Sequence, residues 1–328
     1  MSHVPVVDIS AFETGDAETR RGIADHVSQA VEDIGFFTVS GHGVPERVME
    51  NMRKSSWEFF RLPLADKKRL LDDSMSLNRG YTPFASEHNG SSEGVKALPD
   101  LREGFIYGPF DRPNDDYHNG PTAGFAYQEN IWPESQPDLV KNFTLYYSAL
   151  EALNRRLLGV FAVALNIDPG FFTDKFDRHA STIRLLHYPE QETKPSPGQL
   201  RCGAHTDFGS HTILMSDDSP GGLQVRSNQG EWIDVAPPPG SFVVNIGDLM
   251  MVWTNDRWVS NRHRVVNPPV SMAERSARLS IAFFVHPNHD APIQCIPTCL
   301  SNSEPVRHDP VLAGDYRKMK VTKVTAGL

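Results

Sequence analysis

Cysteine is scarce in this sequence. Cys202, Cys295 and Cys299 are the only three in 328 residues, too few and too unevenly placed for a disulfide framework. Cys295 and Cys299 lie four apart, but no second Cys or His pair stands near them to complete a zinc site. Long apolar runs are also missing. The longest, Leu157 to Leu165, is bounded by Arg156 and Asn166 and is too short to span a bilayer. Basic residues do not predominate: 32 Lys and Arg stand against 41 Asp and Glu, a net charge of −9. That balance argues against nucleic acid or an anionic membrane as the main partner, while leaving room for a local cationic pocket. Met1-Ser2-His3-Val4-Pro5 lacks a basic stretch leading into an apolar one, so no signal peptide is expected. Reduced thiols in a cytoplasmic protein are the expectation.

What is present is ordinary globular material, 39% hydrophobic and 22% charged, enough to bury a sizeable core. Its length allows one or two domains. Val4–Ile9 and Gly35–Val39 read as short strands. Thr19–Asp33 carries Ile23, Val27 and Val31 at helical spacing, and Pro45–Phe60 carries Val48, Met52 and Phe59 in the same way. Ser74–Gly124 is rich in Gly, Pro, Asn and Asp, and reads as long loops with short strands. Pro137–Leu165 is a long helix with Leu139, Phe143, Tyr146, Leu150, Leu153, Leu157 and Val160 as its buried stripe.

After Pro169 the pattern changes to short β-type runs separated by turns: 181–188, 205–215, 222–225, 232–235, 241–246, 262–266 and 279–285. A helical first part followed by many strands predicts an α+β fold with a double-stranded β-helix, or jelly-roll, core. No linker divides the chain. One structural domain over 1–328 is expected, with a helical and variable cover (1–168), a jelly-roll catalytic core (169–300) and a C-terminal tail (301–328).

Chemistry concentrates in His205-Thr206-Asp207. On a strand, residues two apart share a face, so His205 and Asp207 could grip one metal ion. A further histidine would complete two imidazoles and one carboxylate on one face of an octahedron. That set leaves positions open and suits non-heme Fe(II). His263, in a later β-type run, is the best candidate. Beyond it comes Arg278-Leu279-Ser280. Arg278 offers a two-pronged donor for a carboxylate and Ser280 a hydroxyl on the same strand face. An anionic co-substrate could then chelate iron at one end and be clamped at the other.

These motifs together resemble the iron(II)- and 2-oxoglutarate-dependent dioxygenases of the isopenicillin N synthase type, and the resemblance covers most of the chain. It extends from Val4–Ile9 and Gly35–Val44 through Arg79-Gly80-Tyr81 and Pro99–Glu103. Later it includes Leu185-Leu186-His187-Tyr188-Pro189, Gly221–Val225 and Asn245-Ile246-Gly247-Asp248. The resemblance implies that His205, Asp207 and His263 hold Fe(II), and that Arg278, Ser280 and Tyr188 bind the far carboxylate of 2-oxoglutarate, with O2 as the second co-substrate. Many plant members carry Asn two residues before that tyrosine, where this chain has Leu186. From Arg79 onward the order of motifs is similar to that of fungal thymine hydroxylase-like members, which does not establish a pyrimidine substrate. The implied reaction oxidises an unactivated C–H bond of a small organic molecule, in natural-product or nucleobase-type metabolism. Hydroxylation is the default; desaturation or ring closure needs the same metal centre. The alternatives are an iron oxidase that needs no 2-oxoglutarate, like isopenicillin N synthase itself, and a non-catalytic small-ligand binder on the same fold.

Substrate residues are less sharply marked. Phe284 falls on the same strand face as Arg278 and Ser280, and either covers the substrate or belongs to the core. Asn245 either hydrogen-bonds the substrate or caps its turn. Arg102 either pairs with an anionic substrate or forms a solvent-facing salt bridge. His211 could compete as a ligand, or pack. His42 reads as a turn residue, and Trp253 and Trp258 as a lid or as core.

Overall fold

The structure is a computed structural model that describes residues 3–326, apart from 73–77, 94–96, 122, 192 and 302–304. Its strands are β1 (Val6–Asp8), β2 (Phe36–Ser40), β3 (Gly80–Thr82), β4 (Glu103–Tyr107), β5 (Thr182–Tyr188), β6 (Cys202–His205), β7 (His211–Ser216), β8 (Leu223–Arg226), β9 (Trp232–Asp234), β10 (Phe242–Ile246), β11 (His263–Val265) and β12 (Arg278–Val285). Eight form one sheet in the order β1-β2-β10-β7-β12-β5-β4-β3, and four form a second, β6-β11-β8-β9. Two short strands, Pro292–Ile293 and Val311–Leu312, pair separately. The two main sheets are the jelly-roll core, with helices on the outer side of the larger one.

Alternation along β12 shows why. Leu279, Ile281, Phe283 and Val285 face outward into the apolar core, which also holds Ile183 and Leu185 of β5 and Ile213 of β7. The Pro137–Ala164 helix lays its stripe on this face. Proline at its first turn leaves no helical hydrogen bond unmade, and Phe143, Leu150, Leu153 and Leu157 are fully buried. Each such side chain contributes roughly 1.5–3 kcal/mol. Tyr107 stacks on Phe143 at 5.0 Å, and Tyr147 meets Phe283 edge-on at 5.3 Å, fastening helix to sheet. The Ala17–Asp33 helix, capped by Asp16 accepting from the Thr19 amide at 2.9 Å, and the Glu46–Phe60 helix complete the cover. Both Trp253 and Trp258 are fully buried core residues, not a lid.

The other face of β12 carries Arg278, Ser280, Ala282 and Phe284, and it looks toward the four-stranded sheet. Ile34, Phe36, Leu223, Val225, Val235 and Val243 close the space between the sheets at one side. Leu186, Tyr188, Cys202 and Val265 close it at another. A cavity of about 200 Å³ remains between them. The Ala313–Ala326 helix, in the stretch expected as a tail, adds Arg317 and Val321 to its wall.

One expected strand is broken in two. The run 205–215 reads as continuous in sequence, but β6 stops at His205 and β7 begins at His211, so Asp207 lies in the intervening turn. The turn is held against the end of β10. The Gly247 amide donates to Ser210 O, the Asp248 amide to Asp207 O and the Leu249 amide to Gly209 O, at 2.8, 2.8 and 3.0 Å. A Cβ at Gly209 would meet Val285 O at 2.5 Å, and one at Gly247 would meet Gly209 O at 2.3 Å. Only glycine permits this approach.

Candidate active site

His205 and His263 face each other across the β6–β11 ladder as a direct pair, with ring centroids 4.3 Å apart. Asp207 reaches the same point from the turn. Its Oδ1 lies 3.8 Å from His205 Nε2 and 3.7 Å from His263 Nε2. All three ligand atoms lie within 4.8 Å of one another. His205 and Asp207 thus converge without sharing a strand face, which corrects the geometry expected from the His-x-Asp spacing.

The remaining polar atoms of the triad are already engaged. His205 Nδ1 pairs with Gly203 O at 2.8 Å and His263 Nδ1 with Asn261 O at 3.1 Å. Carbonyls only accept, so each Nδ1 carries the proton and each Nε2 presents a lone pair inward. Burial pushes the His263 imidazole down to about 4, so it is neutral at physiological pH. Asp207 Oδ2 accepts from Thr212 Oγ1 at 2.6 Å and Asn245 Nδ2 at 2.7 Å, leaving Oδ1 toward the histidines. Burial alone would raise this carboxyl. His263, His205 and the two hydrogen bonds outweigh it and hold the carboxyl below the usual range. Phe36 of β2 packs edge-on against the His263 ring at 5.4 Å. Two imidazoles and one carboxylate, each held by hydrogen bonding away from the shared point, fit Fe(II) with positions left open.

Along the cavity wall, Arg278 pairs with Tyr188 across β12 and β5, and Ser280 with Leu186. All are buried. Arg278 Nη1 donates to Asp217 O and Ser219 O, both at 3.1 Å, and forms an ion pair with Asp217 Oδ1 at 3.3 Å. Its Nε is buried with no partner. A buried donor left free costs about 1–3 kcal/mol, and a carboxylate in the cavity would satisfy it. This suits 2-oxoglutarate. Burial pushes the Tyr188 phenol up to about 12, so it stays protonated and can donate.

Other expected residues fall differently. Phe284 lines the cavity beside Thr212, its partner on β7. Asn245 also lines it, but its amide donates to Asp207, so it supports the metal-side carboxylate. Arg102 lines the cavity and forms the expected salt bridge, but that bridge is buried and not solvent-facing: Arg102 is 4% exposed and paired with Glu87 at 3.2 Å and Asp100 at 3.6 Å. His211 points away from the metal ligands and packs on Phe161, and burial pushes it down to about 3. His42 holds a turn through Gly240 O and the Val44 amide. The three cysteines are free and buried.

The spacing rules missed Thr212, Phe36, Glu87, Arg184, His286 and Arg317. Three left a usable signal: alternation turns Thr212 inward on β7, puts Arg184 on the face of Leu186 and Tyr188 on β5, and carries the Arg278–Phe284 face on to His286. The others come from loops, facing strands or a distant helix.

The chain also compares closely with characterised families. Residues 4–135 match the family described as non-haem dioxygenase in morphine synthesis N-terminal, and 179–287 match the 2OG-Fe(II) oxygenase superfamily. The 2-oxoglutarate-Fe(II) type oxidoreductase hxnY of Emericella nidulans is 33% identical, over 95% of this chain and 87% of its own. Validamycin A dioxygenase of Streptomyces hygroscopicus subsp. limoneus is 33% identical, over 88% and 78%. A full-length Neurospora crassa protein, solved in complex with alpha-KG and thymine, superposes with a TM-score of 0.84 at 32% identity, over 99% of this chain and 97% of that one. These likenesses favour the 2-oxoglutarate-dependent reading over an independent oxidase or a binder. Among the described residues no helix is long and apolar enough to cross a membrane. The fold, the triad and these relatives agree: the chain belongs to the 2OG-Fe(II) oxygenase superfamily and is a 2-oxoglutarate-dependent non-heme iron dioxygenase acting on a small molecule.

Proposed function

We propose that His205, Asp207 and His263 are the iron ligands, and that Arg278, Ser280 and Tyr188 hold the far carboxylate of 2-oxoglutarate. The observation that carries this is one cavity lined both by the converged ligand residues and by Arg278, whose buried Nε has no partner. When bound, iron with 2-oxoglutarate and O2 supplies the oxidising power to break an unactivated C–H bond. The chain's own residues do the rest. Gly203 and Asn261 carbonyls fix the imidazole tautomers, Thr212 and Asn245 fix the carboxylate, and Leu186, Val265 and Cys202 keep water from the clamp. Phe284 forms the substrate wall next to the metal side. Asn245 acts through Asp207, and Arg102 braces the wall through Glu87.

The chain works as one unit in this reading. Its part to 168 covers the outer sheet, 169–300 carries the chemistry, and the stretch from 301 contributes a cavity wall. We assign it to the isopenicillin N synthase-like branch and to natural-product or nucleobase-type metabolism in the cytoplasm, with neither nucleic acid nor membrane as partner. Support comes from relatives named for validamycin A and solved with thymine. The test is succinate formation from 2-oxoglutarate, with and without a panel of nucleobases, amino acids and natural-product scaffolds. Substrate-stimulated succinate is expected. Oxidation of a substrate with equal rate in the absence of 2-oxoglutarate would overturn the reading.

A further inference from the structure

Four arginines line the cavity: Arg102, Arg184, Arg278 and Arg317. Three are matched by carboxylates. Arg278 pairs with Asp217, Arg102 with Glu87 and Asp100, and Arg184 with Glu87. Arg317 is different. It is only 6% exposed, yet its guanidinium meets neutral oxygens, Ala180 O at 3.2 Å and Asn78 Oδ1 at 2.6 Å. No carboxylate pairs with it among the described residues. A buried cation without a counter-charge is costly, and burial together with the nearby charge of Arg79 pushes it down to about 9.

His286 lines the same cavity and its Nδ1 is buried with no partner. Burial above all, helped by the charge of Arg317, pushes this imidazole well below its usual range, so it is neutral and has a ring N–H to offer. Phe284, Phe208, Ile106 and Val321 supply apolar wall in the same cavity. Glu87 is already paired with Arg102 and Arg184, so its carboxylate does not neutralise Arg317.

We propose that the substrate is a small organic acid whose carboxylate is held by Arg317 and His286, with its apolar body along Phe284 and Ile106 and its reacting carbon toward the metal triad. The proposal rests on the reading that this cavity receives the substrate beside iron. It moves the anion contact that the sequence suggested for Arg102 to a residue of the Ala313–Ala326 helix.

The test compares matched acids and amides: benzoate and benzamide, phenylacetate and phenylacetamide, nicotinate and nicotinamide, with thymine as a neutral control. Binding to the anaerobic Fe(II)–2-oxoglutarate protein is read by calorimetry, and succinate is read separately in air. At least one acid should bind about tenfold or more tightly than its amide. Arg317→Gln should erase that ratio without changing the 2-oxoglutarate requirement, and Arg317→Lys should restore part of it. The melting temperature of each variant shows that the fold is retained. Amides or thymine binding as tightly as the acids, an unchanged ratio in Arg317→Gln, or no acid binding at all would each overturn the proposal. Absence of succinate under every condition would instead sink the dioxygenase reading and leave the calorimetric ratio to judge the acid.

Discussion

Two parts of the cavity wall are built on different plans. At the metal end, each polar group is hydrogen-bonded from behind and keeps one atom facing inward. The imidazole Nδ1 atoms are tied to carbonyls, and Asp207 Oδ2 to Thr212 and Asn245. These partners sit on or beside paired strands, so the aim of each ligand is set by the ladder. At the other part of the wall, Glu87 comes from a loop, Arg184 from β5 and Arg317 from a helix far along the chain; Glu87 pairs with Arg184, and Arg317 donates to Ala180 O and Asn78 Oδ1. On the proposed reading, the ligand triad is braced mainly by partners on paired strands, whereas the wall that would meet the substrate also draws on a loop and a distant helix.

Substitutions at each end can break this contrast. The largest effect is expected at the triad: His205→Ala or Asp207→Ala should abolish substrate-coupled succinate and stoichiometric iron retention by the purified protein. Retained full turnover would remove these residues from the ligand set. Next, Arg278→Leu should raise the KM for 2-oxoglutarate by roughly 10- to 100-fold, the worth of a charge-assisted hydrogen bond. An unchanged KM would show that the clamp lies elsewhere. Smaller still, Asn245→Ala should weaken iron affinity about tenfold, in the range for residues that orient metal ligands. If it changed substrate KM and left metal affinity alone, Asn245 would belong to the other part of the wall after all.

The smallest effect at neutral pH concerns the ion pairs in that other part of the wall. Burial pushes the Glu87 carboxyl up, but Arg184 and Arg102 outweigh it and hold it at about 2, against 4.5 for a free carboxyl. A depressed folded value means that the stabilisation is complete above about pH 4.5 and is lost as pH falls toward 2. The stability gap between wild type and Glu87→Gln, measured by chemical denaturation, should therefore narrow over that window. A gap independent of pH would show that Glu87 does not titrate as an ion-pair partner.

The legible part of this protein is the part governed by short periodicities. Strand alternation turns Arg278, Ser280 and Phe284 inward, and helical spacing names the stripe of the Pro137–Ala164 helix, because both depend on neighbours a few residues away. The break after His205 is hidden. Asp207, Gly209 and Ser210 permit a turn but do not fix where the strand stops, and the turn is set because Gly209 and Gly247 pass each other at a distance only a three-dimensional view reveals. Arg102 looks like a surface charge in a loop-rich stretch. It is buried because Glu87 and Asp100 fold back onto it, and such pairing has no period to read. Arg317 is the least legible, since nothing local to its helix marks it as part of the cavity.

The seating of the triad has a mechanical consequence. His205 and His263 belong to the four-stranded sheet, while the carboxylate of Asp207 is tethered by Thr212 and Asn245 to β7 and β10 of the eight-stranded one. An ion held among them would act as a rivet through both leaves of the sandwich. Spreading the leaves and releasing the ion are then one motion, and by mass action the same free energy that retains the ion resists the spreading. Amide exchange in β6 and β11 should quicken on chelation while the helix-backed strands β5 and β12 keep their pace.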